Sequence, residues 1–165
     1  PSPKVGLLNI GEEEKKGDLL RQATYELMKE QQLYHFIGNV EGKEIFNGHT
    51  DVAVTDGFTG NVLLKSTEAV AKLIIEKIRT SIKGGGPLAL LGGALVKPAL
   101  GQVKKLLDPS EEGAAPLLGV NGLVFIGHGR SDALAIKNAI RVAKEAVESK
   151  VLDALKSAIE ESLKK

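Results

Sequence analysis

The stretch "DVAVTDGFTGNVLLK", residues 51–65, decides the fold. Its opening is a short apolar run, its close begins a helical pattern, and between them stand an acid, a hydroxyl, two glycines and an amide. A short strand that ends in a polar turn and enters a helix is half of a βαβ unit, the element of a parallel sheet. Such a turn lies at the carboxyl end of its strand, where open α/β sheets bind their ligands. Gly57 and Gly60 permit positive φ and close ligand approach, Thr59 offers a hydroxyl, and Asn61 is placed where the helix begins. Free amides beside glycine would make an anion site. The plainer reading is that Thr59 or Asn61 caps the helix and the glycines only turn the chain. The spacing fits neither a Walker A loop nor a dinucleotide fingerprint.

The same alternation runs outward in both directions. "KVGLLNI" (4–10) is a continuous apolar run expected as a strand buried on both faces. "GDLLRQATYELMKEQQ" (17–32) sets Leu19, Leu20, Ala23, Leu27 and Met28 at helical spacing, with Asp18 as its N-cap. "HFIGNV" (35–40) is a further strand. "NVLLKSTEAVAKLIIEKIRTSIKG" (61–84) is a long amphipathic helix ending at "GGGP", and 87–109 reads as a second helix interrupted near Gly92–Gly93 and Pro98. "VNGLVFIGHG" (120–129) is expected as a last buried strand, and 131–165 as one helical pattern broken near Ser149. Strands alternating with helices predict an α/β fold, a mostly parallel, Rossmann-like sheet flanked by helices. The strand ends at Ile10, Thr55 and Ile126 are expected on one edge of that sheet. Residues 1–165 read as one α/β unit, with 62–107 a projecting helical pair.

Composition narrows the chemistry. The 22 basic and 21 acidic residues nearly cancel and aromatics are few, which disfavours nucleic acid as a partner. With no cysteine there is no disulfide, no thiolate nucleophile and no cysteine-held metal. No histidine pair has helical ligand spacing, so no metal and no cofactor is expected. The uncharged run "GGGPLALLGGALV" is too short and glycine-rich to span a bilayer, and a cytoplasmic protein is expected. The start, "PSPKVGLLNIG", enters a strand almost at once, as if something preceded it.

Two more polar turns follow strands. "GEEEKKGD" sets Lys15 and Lys16 at a strand-to-helix turn; a lysine there could meet an anion, or the turn could be a solvated one in which Glu12–Glu14 balance both lysines. "GHGRSD" brackets His128 with glycines, where it can donate a hydrogen bond or carry a proton. Ser131 or Asp132 there reads as an N-cap.

The words "VGLLNIGEEEKKGD", "FIGNVEG", "VTDGFTGNVLLK", "PLLGVNGLVFIGHGRSDA" and "AIKNAIRVAKEAV" resemble the bacterial phosphate acyltransferase family PlsX. The resemblance covers the carboxyl-terminal half of that family and implies transfer of a long acyl group from an acyl carrier protein thioester to inorganic phosphate. It implies Lys16 and Asn61 as catalytic positions, Lys16 orienting phosphate and Asn61 donating to the thioester carbonyl oxygen. Asp56, Gly57, Thr59, Gly60, His128, Gly129 and Ser131 are the expected phosphate and substrate contacts. "EEGAAPLLG" departs from the family's glycine-rich pattern at Glu112–Ala115.

Two other readings stand beside this one: a transferase of small acyl groups from coenzyme A thioesters, and a non-catalytic folding or membrane-docking module. The helical pair is expected to be covered by homodimerisation. Its apolar tip, Leu88, Leu90 and Leu91 within Leu88–Val96, is also expected to touch a membrane surface, with Lys83, Lys97, Lys104 and Lys105 beside anionic lipid. The half-length chain alone is expected to be inactive.

Overall fold

The computed structural model describes residues 2–31, 33–106 and 108–163, so the expected helix ends at Gln32 and Lys165, the last residue of the helical pair, Leu107, and the Lys104 side chain lie outside the described residues. The chain divides into two compact units, Pro1–Ser66 and Thr67–Lys165.

The first unit is built from β1 (Lys4–Leu8), α1 (Leu19–Lys29), β2 (His35–Val40), the single turn α2 (Gly42–Ile45), β3 (Val52–Val54) and the first turns of α3 (Gly57–Gly84). The strands form a parallel sheet in the order β2-β1-β3. Val5 stands opposite Phe36 on one side and Val52 on the other. This is the α/β, Rossmann-like arrangement that the alternating pattern predicts. Asp18 caps α1 as expected, its carboxylate accepting from the Arg21 amide at 2.9 Å.

The inward face of α1 differs from the expected stripe. Tyr25 and Met28 are buried with Val5 and Leu7, while Leu19, at 85% exposed, Leu20 and Leu27 are not covered. The Tyr25 and Phe36 rings meet edge-on at 5.3 Å, a favoured aromatic geometry that holds α1 over β1 and β2. A three-stranded sheet gives one short helix room to bury only a narrow face.

The second unit holds the rest of α3, then α4 (Gly86–Leu106), α5 (Pro109–Glu112), β4 (Ala114–Pro116), β5 (Phe125–Gly127), α6 (Ala133–Glu148) and α7 (Val151–Ser162). The break near Ser149 is present: Ser149 caps α6 and Lys150 takes a left-handed conformation before α7. Two expectations are corrected. The buried strand at 120–129 is instead three residues long and pairs antiparallel with β4 in its own two-stranded sheet, leaving Ile126 55% exposed. Ile126 therefore does not end a strand of the parallel sheet. The short connection 117–124 lets the chain close an antiparallel hairpin locally, whereas a parallel partner needs a crossover.

The interruption expected in α4 is also absent, for the helix runs through Gly92, Gly93 and Pro98. An interior proline costs about 3 kcal/mol. Gly93, with no side chain of its own, lets Ile82 of α3 lie against this helix. Among the described residues, no helix is long and apolar enough to cross a membrane.

Candidate functional site

Because β1 and β3 are parallel neighbours, the turns that follow them lie on the same edge of the sheet. Two asparagines at the ends of apolar strands build the first turn. Asn9, 7% exposed, donates from Nδ2 to the Lys16 carbonyl at 3.0 Å and accepts from the Ile10 amide at 2.8 Å. Asn39, at the end of β2, donates to the Glu13 carbonyl at 2.8 Å. Gly17 then has φ +85°, a left-handed value suited to glycine, and a Cβ there would run into the Asn9 side chain. The backbone carrying Lys16 is thus held from both ends. Its ammonium is half exposed and 3.8 Å from Glu13.

The second turn differs from the expected one. α3 begins at Gly57, four residues earlier than the sequence pattern suggests, so Asn61 lies inside the helix on an exposed position. Gly57 and Gly60 are helical and take no positive φ. Neither Thr59 nor Asn61 is the cap. Asp56 is: one carboxylate oxygen accepts from the Phe58 and Thr59 amides, each at 2.9 Å, and its carbonyl accepts from Gly60 N–H at 2.9 Å. The helix end thus brings its own anion, with the Phe58 and Thr59 amides committed to it. A Cβ at Gly57 would meet open space, whereas one at Gly60 would press on Thr55.

Arg21 joins the two turns, and the sequence pattern gave it no role. It is 13% exposed at its side chain. One guanidinium nitrogen donates to Asp18 at 2.7 Å; the other donates to Asp56 and, at 2.7 Å, to the Thr59 hydroxyl. Asp56 is consequently held well below the ordinary carboxylate range, first by the Thr59 hydroxyl and amide, then by Arg21. Asp18 is lowered first by the Arg21 amide and then by the guanidinium charge. A hollow of about 200 Å³ beside this network is lined by Arg21, Thr24, Val54, Thr55 and Asp56. One signal in sequence could have pointed to it: an arginine three residues after an N-cap aspartate can turn back on it.

In the second unit, His128, Arg130 and Ser131 border a hollow of about 170 Å³ with Asp108, Ser110 and Gly113. Ser131 donates from its hydroxyl to the His128 carbonyl at 2.7 Å, which closes the "GHGRS" turn. Arg130 donates to Glu68 at 2.9 Å. Asp132 is the N-cap of α6, accepting from the Ala135 amide at 2.9 Å. Gly113, within the departure at Glu112–Ala115, takes φ +80° and packs on the α6 backbone. Among the described residues no cluster of three or more His, Asp or Glu is arranged to hold a metal ion.

The structure therefore gathers Lys16, Asp56, Gly57, Thr59, Gly60 and Asn61 onto two turns at one sheet edge, and His128, Gly129 and Ser131 onto a turn of the second unit. Comparison with known proteins agrees with the words that build these turns. The model of a family described as "Fatty acid synthesis protein" matches residues 1–154. A "Phosphate acyltransferase" of Dictyoglomus turgidum is 52% identical over 150 residues, covering 91% of this chain and 44% of that protein. One from Thermus thermophilus is 52% identical over 151 residues, covering 92% and 46% respectively. One from Pseudothermotoga lettingae is 46% identical over 157 residues, covering 95% and 48%. The chain spans about half the length of these curated relatives. With a family match that runs from its first strand into its last helix, the chain belongs to the fatty acid synthesis protein family, the PlsX family its turns resemble.

Proposed function

We propose that this chain carries the phosphate and thioester turns of a phosphate acyltransferase, which moves a long-chain acyl group from acyl carrier protein to inorganic phosphate. The observation that carries this reading is the pair of turns at one sheet edge, bearing Lys16 and Asn61, in a chain about half identical to proteins named for that activity. An oxygen of hydrogen phosphate attacks the thioester carbonyl carbon, negative charge collects on the carbonyl oxygen, and the carbon–sulfur bond breaks to release acyl phosphate and a thiolate, which takes the proton that the phosphate carried and leaves as the thiol. Phosphate is the nucleophile, so a chain without cysteine suffices.

Lys16 supplies a mobile positive charge on a fixed backbone, suited to orienting phosphate. Asn61 projects an exposed amide one turn into α3 and donates to the developing oxyanion. Asp56 shapes the turn by capping α3 and leaves Gly57 open to substrate. Thr59 and Gly60 add substrate contacts on this edge, and His128, Gly129 and Ser131 offer contacts on their own turn of the second unit. In the full-length enzyme, Asn61→Ala should lower turnover by about 10²–10³ with folding kept, and Lys16→Ala should mainly raise the phosphate requirement. Full activity in Asn61→Ala, assayed with acyl carrier protein thioester and phosphate, would remove that residue from the mechanism. Acetyl coenzyme A in a parallel assay separates long-chain from small-acyl transfer.

The helical pair serves association. Leu73, Ile74 and Ile78 of α3 are exposed, and a second copy covers them in a homodimer that leaves the tip of the pair open. The tip around Leu88, Leu90 and Leu91 meets the membrane surface, with Lys83, Lys97 and Lys105 near anionic headgroups.

A further inference from the structure

We propose that Arg21 is a positioning residue of the transfer reaction: one guanidinium sets the spacing between the Lys16 turn and the Asn61 end of α3. The proposal rests on the phosphate acyltransferase reading above and adds to it a residue that touches neither substrate.

The geometry is specific. Asp18 and Asp56 are the N-caps of α1 and α3, and each uses one carboxylate oxygen on its own helix. The other oxygen of each goes to Arg21, Asp18 receiving one terminal nitrogen and Asp56 the other. The nitrogen on Asp56 also donates to the Thr59 hydroxyl. A planar fork with fixed angles between its donors therefore bridges the two helix ends. Each helix end carries one half of the proposed chemistry. Lys16 stands two residues before Asp18, on a backbone pinned by Asn9. Asn61 stands five residues after Asp56, in the first turns of the helix that Asp56 caps.

Burial makes the bridge effective. Arg21 is mostly shielded from water, Asp56 is about one-quarter exposed, and Arg21 reaches the pair from a helix anchored by Tyr25 and Met28. Since acyl transfer needs the phosphate oxygen and the carbonyl carbon at near-attack distance, a displacement of about 1 Å between these turns can cost as much as 10²-fold in rate. A lysine at position 21 would present one point charge and could satisfy one carboxylate at a time.

The test is steady-state kinetics of the full-length enzyme with acyl carrier protein thioester and phosphate, comparing Arg21→Gln, Arg21→Lys and Asp18→Asn with Asn61→Ala. Asparagine caps a helix about as well as aspartate, so Asp18→Asn removes one arm of the bridge and keeps the cap. The expected result is a fall in kcat of about 10–100-fold in Arg21→Gln. The KM for phosphate should move little, because Lys16 keeps its own phosphate contact. Partial recovery in Arg21→Lys, a smaller loss in Asp18→Asn and an unchanged folded fraction by circular dichroism complete the expected pattern. If Asn61→Ala loses activity while the Arg21 and Asp18 variants keep wild-type kcat, the positioning role is wrong and the site stands. If Arg21→Gln loses kcat only in proportion to its folded fraction, Arg21 is structural and the proposal falls. If Asn61→Ala and Lys16→Ala are both fully active, the site reading fails and takes the positioning role with it. Should Arg21→Gln not fold, Asp18→Asn and Arg21→Lys decide by the same criteria.

Discussion

Asp56 divides its two oxygens between a helix cap and an ion pair, and this division governs how the first unit responds to acid. Its carboxyl titrates below the ordinary aspartate value of about 3.9. A folded-state pKa below the unfolded one adds stability that is fully present above the unfolded value and is lost as pH falls through it towards the folded value. Asp18 and Glu14 are lowered too, Glu14 first by its hydrogen bond from Lys29, so all three act in the same direction and window. The urea midpoint of the chain should therefore decline as pH drops from about 5 to 2. Asp56→Asn should flatten that decline while lowering the midpoint at neutral pH. An unchanged slope in Asp56→Asn would show that the Thr59 hydrogen bonds and the Arg21 pair do not lower this carboxyl in solution.

At the scale of elements, α6 is the organiser of the second unit. It buries Ala135 and Asn138 against α5 and the β4–β5 hairpin, and Asn138 donates to the Ser110 carbonyl at 2.9 Å. Gly113 sits in this seam at φ +80°, where a Cβ would strike the Ala135 carbonyl and the Asn138–Ala139 backbone. The left-handed backbone alone penalises another residue by about 1–3 kcal/mol, and a clash against main chain leaves no flexible atom to give way. Gly113→Ala should lower the melting temperature by about 5 °C or more. Gly122→Ala, where a Cβ meets open space, should leave it within about 1 °C. Equal melting temperatures for the two variants would mean that the seam opens without cost.

At the scale of the whole molecule, large apolar side chains remain open on several elements, Leu19, Leu27, Leu88 and Leu95 among them. Burial of such surface is worth about 25 cal/mol per Å², so association is the expected outcome. Sedimentation should report a dimer, and Ile74→Glu with Ile78→Glu should shift it to monomer if α3 forms the seam. Leu90→Glu with Leu91→Glu tests the tip separately. Co-sedimentation with anionic vesicles should drop several-fold while the dimer persists, and unchanged vesicle binding would reject the membrane contact.

Taken alone, the sequence determined the fold class, a strand within 4–10 and one at 35–40, the Asp18 cap, the break at Ser149 and the family. Each of these depends on neighbours a few residues apart, through apolar period, capping chemistry or a run of diagnostic words. Tertiary structure decided the rest. Asp56 rather than Thr59 or Asn61 caps α3, because its carboxylate gains Arg21 from a helix 35 positions away in the chain as well as the local amides. α4 runs whole through Gly92, Gly93 and Pro98, where the local pattern predicts a break, and Ile82 of α3 lies against Gly93. The run at 120–129 became a hairpin strand because its partner was 114–116, not the parallel sheet. Arg21, the residue that ties the two candidate turns together, shows locally only its pairing with Asp18; its reach to Asp56 is set by which helix ends the sheet brings within range of the guanidinium.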